Sequence, residues 1–127
     1  DDKLSQARLE SFTETDDNAR LLKIVRNYIV NFEKMYEDNQ GLLLWGPVGT
    51  GKSYAAAVIA NELLDRRTSV VMTSFIKILK EVGTFDDDNG KIEKMNQSKL
   101  LIIDDLGAER GTDYSLERVY DIIDSRY

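Results

Sequence analysis

Gly46-Pro47-Val48-Gly49-Thr50-Gly51-Lys52-Ser53 fits the phosphate-binding loop pattern G-x-x-x-x-G-K-[ST] without a mismatch. The pattern carries weight only between a buried strand and a helix, and both are expected here. Leu42-Leu43-Leu44-Trp45, entered through Gly41, is a short apolar run that reads as a strand buried on both faces. Tyr54-Ala55-Ala56-Ala57-Val58-Ile59-Ala60 reads as the first turns of a helix rich in good formers. The plain alternative is a glycine-rich turn that happens to contain Lys-Ser, and the flanking elements argue against it.

The residue types match the chemistry. Glycines at 46, 49 and 51 let the backbone take unusual angles and approach a ligand closely. Successive N–H groups can then point inward at an anion, aided by the positive end of the following helix. Lys52 brings a mobile point charge to the outer phosphates, and the Ser53 hydroxyl can ligate Mg²⁺. The nucleotide-binding set is therefore Gly46, Pro47, Val48, Gly49, Thr50, Gly51, Lys52 and Ser53, with Tyr54 next in line.

Composition narrows the rest. At 127 residues one domain at most is expected, and 42% hydrophobic residues suffice for a core. A net charge of −6, from 17 basic and 23 acidic residues, argues against an extended nucleic-acid-coating surface but not against a local basic patch. With no cysteine there is no disulfide framework and no thiolate metal site, which fits a reducing compartment. With no histidine, Ser-His, Cys-His and zinc-histidine sites are out. There is no run of about 18 apolar residues and no signal peptide, so a soluble cytoplasmic protein with no membrane partner is expected. Asn96-Gln97-Ser98 fits the glycosylation triplet by accident on this reading.

Residues 1–16 are polar and acidic, with Leu4, Leu9 and Phe12 as the only large apolar side chains. The simpler reading is a frayed terminus or linker. The sharper one has Phe12 and its neighbours folding back over a nucleotide base. Composition favours the first. Residues 17–127 are expected to form the N-terminal part of a nucleotide-binding domain. Asp16 or Asp17 is the expected cap of an amphipathic helix carrying Leu21, Val25, Tyr28, Ile29, Phe32, Met35 and Tyr36. That helix spans roughly five turns and ends near Asn39-Gln40-Gly41. The helix after the loop runs from about Lys52 to Arg66, broken by Thr68 and Ser69. Val70-Val71-Met72-Thr73 reads as a second strand. Ser74 is placed to cap a short helix from Phe75 to Val82, ended by Gly83. Asp86-Asp87-Asp88 is read as an exposed acidic loop rather than a metal site, because ligands usually alternate or converge from separate elements. A weak amphipathic turn, Lys91 to Asn96, leads to a third strand, Leu100-Leu101-Ile102-Ile103. Alternating strands and helices point to parallel β-α units in a three-layer α/β domain.

Asp104-Asp105 closes that third strand and forms a second signature. A buried strand presents its C-terminal carboxylate to the crevice where ligands of open α/β sheets bind. In P-loop NTPases such an acid organises the Mg²⁺ held by the loop Ser or Thr. Asp104 takes the metal role, through water, since Mg²⁺ keeps much of its hydration shell. Asp105 is the candidate for activating the attacking water. The alternative is that both acids cap a turn before Gly107. Past it, Thr112 to Ser115 reads as a helix start, with Leu116, Val119, Tyr120, Ile123 and Tyr127 at helical spacing.

Together, Gly46 to Ser53 and Leu100-Leu101-Ile102-Ile103-Asp104-Asp105-Leu106-Gly107-Ala108-Glu109 resemble the AAA+ ATPase domain of bacterial replicative-helicase loaders (DnaC-like). They are equally similar to the ATP-binding helper proteins of some transposons. The resemblance covers roughly residues 10–127, including the leading helix and the tail Ile122 to Tyr127. It implies a five-stranded parallel sheet, ATP or ADP with Mg²⁺, and assembly with other AAA+ subunits. It also implies a ring helicase or a transposase as partner, with single-stranded DNA as a further candidate. By position the metal acid is Asp104 and the catalytic acid Asp105, with Lys52 on the phosphates. Many AAA+ proteins carry Glu at the last acid, so Asp105 suits slow, partner-stimulated turnover. The family's sensor strand, arginine finger and C-terminal sensor arginine are expected beyond Tyr127, which makes the P-loop NTPase core incomplete here and the chain part of a longer protein. Without the sensor strand the sheet is expected to have a gap.

Three functions compete. The first is an ATPase of helicase-loader type, nearly inactive alone if a neighbour supplies its arginine. The second is a nucleotide-dependent binding module without useful turnover. The third, a P-loop kinase of small metabolites, is disfavoured by the Asp-Asp-Leu-Gly-Ala-Glu ending.

Overall fold

The computed structural model describes residues 2–42, 44, 51–74, 77–78, 91–104, 123–124 and 126. They fall into two compact units, 1–68 and 69–127.

The first unit is helical. After a short helix α1 (Asp2–Ser5) and a 3₁₀ turn at Leu9–Ser11 come α2 (Ala19–Val30), α3 (Phe32–Glu37) and α4 (Lys52–Asp65). The long amphipathic helix expected from periodicity is thus two helices. Asn31 marks the joint. Its side-chain amide donates to the Asn27 carbonyl at 3.0 Å, the same oxygen its own N–H uses, and to Asn27 Oδ1 at 2.9 Å. Asparagine competes in this way with the helical ladder. The N-cap is Asn18, not Asp16 or Asp17.

Helix α3 ends as its sequence suggests. Asn39 takes a left-handed φ of 55°, the Asn39 N–H donates to the Tyr36 carbonyl and the Gln40 N–H to that of Met35. This pair of bonds satisfies the last carbonyls of the helix.

Helix α2 packs on α4. Leu22, Val25, Tyr28, Ile29 and Phe32 are buried, so the apolar stripe includes Leu22 ahead of the half-buried Leu21. Tyr36, expected in the core, is 45% exposed, although its ring stacks on Phe32. Helix α4 is buried round much of its circumference, at Ala55, Ala57, Val58, Ile59, Ala60 and Leu63. Its alanines allow close approach, and each fully buried Val or Leu contributes about 1.5–3 kcal/mol. Arg66 Nη1 donates to the Ile29 carbonyl at 3.0 Å and ties the end of α4 to α2.

The second unit holds a parallel pair, β1 (Val70–Ser74) and β2 (Leu100–Asp104), in register from Val70 opposite Leu100 to Ser74 opposite Asp104. Helix α5 (Lys91–Gln97) lies in the crossover that a parallel pair requires. Ser69 guides entry into β2, its Oγ accepting from the Lys99 N–H and its carbonyl from the Leu100 N–H. Arg126 donates to the carbonyls of Met95 and Ser98 and closes the C-terminal end of α5. Ser74 Oγ accepts from the Lys77 N–H at 3.1 Å, the capping role expected of it. The remainder of the helix expected to Val82, the acidic loop 86–88 and the helix start at 112–115 lie outside the described residues.

The architecture is α/β with a parallel sheet, two-stranded among the described residues. Both strands are half-buried rather than fully covered, and Met72 of β1 is exposed. Leu42 and Leu44, expected in a buried strand, lie in none, and Leu42 is 41% exposed.

Candidate nucleotide-binding site

Gly51 opens the site. It is the N-cap of α4, with φ 86° and ψ 12°, and its carbonyl accepts the Ala55 N–H at 2.9 Å. A Cβ placed on it would meet nothing within 4 Å, so conformation rather than crowding demands glycine there. Lys52 and Ser53 form the first turn of a fourteen-residue helix, Lys52 half-buried and Ser53 exposed. The N-terminus of such a helix favours anions through its unsatisfied N–H groups and dipole. Gly46, Pro47, Val48, Gly49 and Thr50 lie outside the described residues.

The N-terminal segment runs along α4, held by polar contacts. Asn61 Nδ2 donates to the Leu4 carbonyl at 2.7 Å and the Ala7 carbonyl at 3.0 Å. Glu62 Oε1 accepts the Leu9 N–H at 3.0 Å, and Arg8 pairs with Asp65 at 2.8 Å. Ala7 is buried against this framework. The segment reaches Tyr54, whose ring Phe12 meets edge-on with centroids 5.4 Å apart.

Beside these rings lies an open cleft of about 290 Å³ lined by Ser11, Phe12, Thr13, Asn18, Gly51 and Tyr54. This lies just below the range of small-molecule sites, about 300–1,000 Å³. The structure thus brings together three of the residues singled out in the sequence, Phe12, Gly51 and Tyr54. Ser11, Thr13 and Asn18 escaped the sequence reading. Only Asn18 left a signal, as an asparagine directly before an apolar-periodic run.

Asp104 ends β2, half-buried, in the second unit, while Lys52 and Ser53 belong to the first. Asp105 lies outside the described residues. A hydroxyl and a carboxylate are hard oxygen donors of the kind Mg²⁺ takes alongside water and phosphate oxygens. Among the described residues no three acids cluster as a metal cage.

A parallel α/β unit, a left-handed glycine before Lys-Ser at a helix start, and an aromatic-lined cleft beside it define a P-loop nucleotide-binding module. The chain belongs to the IstB-like ATP binding protein family, whose model matches residues 5–127. It is 32% identical over 98 residues to the replicative helicase loader DnaI of Bacillus subtilis, covering 72% of this chain and 32% of that protein. It is 27% identical over 118 residues to the replicative helicase loader DnaC of Escherichia coli K12, covering 89% of this chain and 47% of that protein. The large subunit of replication factor C from Nanoarchaeum equitans is 38% identical over 56 residues, 44% of this chain and 13% of that protein. The chain therefore matches about a third of the length of one loader and about half of the other. It is an ATP-binding AAA+ module related to the helicase loaders.

Among the described residues no helix is long and apolar enough to cross a membrane.

Proposed function

We propose that this chain binds ATP with Mg²⁺ and hydrolyses it in the service of loading a replicative helicase. The observation that carries the nucleotide reading is the cleft itself. It places Phe12 and Tyr54 beside Gly51, at the entry to α4, where a base can lie while its phosphates reach the helix N-terminus. Lys52 would meet the outer phosphates, and the Ser53 hydroxyl and, by its place after the third apolar run of the sequence, the Asp104 carboxylate would supply oxygen donors to the cation. When bound, that cation neutralises charge developing on the β- and γ-phosphate oxygens. Asp105 accepts a proton from water as the water oxygen bonds to the γ-phosphorus. The bond from that phosphorus to the β–γ bridging oxygen breaks, and ADP and inorganic phosphate leave. A neighbouring subunit's arginine stabilises this step, so the chain alone turns over slowly.

The loader assignment rests on the two loaders that align over most of this chain. Transposition on the same chemistry is the alternative, and the family's description as ATP-binding leaves the partner open. Affinity capture of the protein from its host with and without ATP separates them: helicase subunits support loading, a transposase overturns it.

Trp45 is the single tryptophan and directly precedes the phosphate loop, so it reports on the site. Titration with MgATP is expected to give a saturable fluorescence change that Lys52→Ala abolishes. No change, confirmed by calorimetry, overturns the nucleotide reading. Asp105→Asn then decides between enzyme and binding module. In an ATPase it stops turnover and traps ATP; in a module without turnover it changes little.

A further inference from the structure

We infer that Asn18 is a positioning residue for recognition of the nucleotide base, its side-chain amide holding the Thr13–Thr15 turn in the shape that walls the cleft beside Phe12 and Tyr54. This rests on the reading of that cleft as the base site.

Asparagine at a helix N-cap ordinarily turns its side chain forward to accept an N–H of the first turn. Asn18 does not, and makes no side-chain cap bond to α2. Its carboxamide faces backward. Oδ1 accepts the Thr15 N–H at 2.7 Å and Nδ2 donates to the Thr13 carbonyl at 2.9 Å. Its backbone is fixed to α2 through the Leu22 N–H, which donates to the Asn18 carbonyl at 2.8 Å. This half-buried side chain thus reaches both Thr13 and Thr15 from the start of a helix that packs on α4.

The Asn18 backbone N–H also donates to the Thr15 carbonyl at 3.2 Å and to Thr15 Oγ1 at 3.3 Å, but neither bond reaches Thr13. Thr13, Glu14 and Thr15 are all exposed, and no apolar side chain anchors the stretch between Phe12 and Asn18. Both ends of the amide are used, one as acceptor and one as donor, and no other side chain of this length has that pairing. Aspartate would keep the bond from Thr15 but set a carboxylate oxygen against the Thr13 carbonyl. The adjacent Asp16 and Asp17 therefore cannot stand in for it. Asn18 and Thr13 both line the cleft, so loss of the amide moves the wall a base would touch.

The test compares a ligand with a base to one without. The chain and its Asn18→Asp and Asn18→Ser variants are titrated calorimetrically with ATP and with inorganic tripolyphosphate, each with Mg²⁺. One or two lost hydrogen bonds correspond to an ATP affinity lowered about 5–10-fold in both variants. Tripolyphosphate affinity is expected to stay within about twofold, because no base contacts are involved. Unchanged ATP binding overturns the inference, and so does an equal loss for both ligands, which marks a structural role only. Serine retains an acceptor for the Thr15 N–H, so it decides the matter if the aspartate variant unfolds. If the unaltered chain binds ATP no more tightly than tripolyphosphate, the base-site reading itself fails, and the role of Asn18 with it.

Discussion

The Tyr54 hydroxyl lies 3.3 Å from Ser11 Oγ, while its ring meets Phe12 edge-on. Tyr54 follows Ser53 in the first turn of α4, so one side chain joins the end of the phosphate loop to the N-terminal segment. The ring and the hydroxyl do different work. An edge-on aromatic pair is worth about 0.5–1.5 kcal/mol beyond its buried area. The hydroxyl bond is exposed and competes with water, so its net contribution is at the low end of about 0.5–1.5 kcal/mol. Tyr54→Phe is accordingly expected to keep ATP affinity within about twofold, and Tyr54→Ala to lower it about tenfold. Calorimetric titration checks both, and equal losses in the two variants would assign the effect to the hydroxyl instead.

Gly51 makes the second prediction. Its φ of 86° is open to glycine and costs an L-residue roughly 1–2 kcal/mol. Because added bulk meets nothing nearby, Gly51→Ala should fold with a stability loss of about 1–2 kcal/mol in urea titration. If the residue instead relaxes to a negative φ, the approach to Lys52 changes and Mg-ATP affinity falls more than stability does. A variant with unchanged stability and unchanged binding would show that the angle is not needed.

The N-terminal segment gives a third. Asn61 makes two bonds to carbonyls of Leu4 and Ala7 from a half-buried position. Asn61→Ala leaves both carbonyls to find other partners, at about 1–3 kcal/mol. The Arg8–Asp65 pair is the more conspicuous contact, yet Asp65 is 56% exposed at its side chain and such pairs contribute about 0–1 kcal/mol. Hydrogen exchange across residues 2–12 is therefore expected to speed up more in Asn61→Ala than in Asp65→Ala. The reverse order would make the ion pair the principal tie.

These ties also explain what the sequence could and could not disclose. Val70–Ser74, Leu100–Asp104 and Lys52–Asp65 were legible to within a residue or so, because apolar runs and strong helix formers act locally. Ser74 was legible as a cap for the same reason. The packing of residues 4–11 on α4 was not. It depends on Asn61, Glu62 and Asp65 meeting a segment more than fifty positions away, and polar pairings at that range leave no periodicity. Asn31 looked like any exposed helix residue, although its amide divides the helix. Of the site, the phosphate-loop pattern was legible as chemistry, and Phe12 as one of two readings. The polar wall at Ser11, Thr13 and Asn18 was not, since single Ser, Thr and Asn residues occur in any loop.

The last prediction concerns the end of α4. Arg67 sits at a left-handed φ of 63°, just past the helix. Its N–H donates to the Leu64 carbonyl at 2.9 Å and the Thr68 N–H to the Leu63 carbonyl at 2.9 Å, so the closing bonds are the same pair seen after α3. The helix closes in this way on a residue whose Cβ opposes the left-handed angle. Glycine removes a penalty of roughly 1–2 kcal/mol and returns part of it as entropy in the unfolded chain. Arg67→Gly is thus expected to raise stability by about 0.5–1 kcal/mol, a few degrees in melting temperature for a domain of this size. Asn39→Gly, at a φ of 55°, should gain less, because asparagine tolerates this region better than arginine. Arg67→Ala keeps the strain and should be close to neutral. If alanine stabilises as much as glycine, removal of the arginine charge explains the gain, and the backbone argument fails.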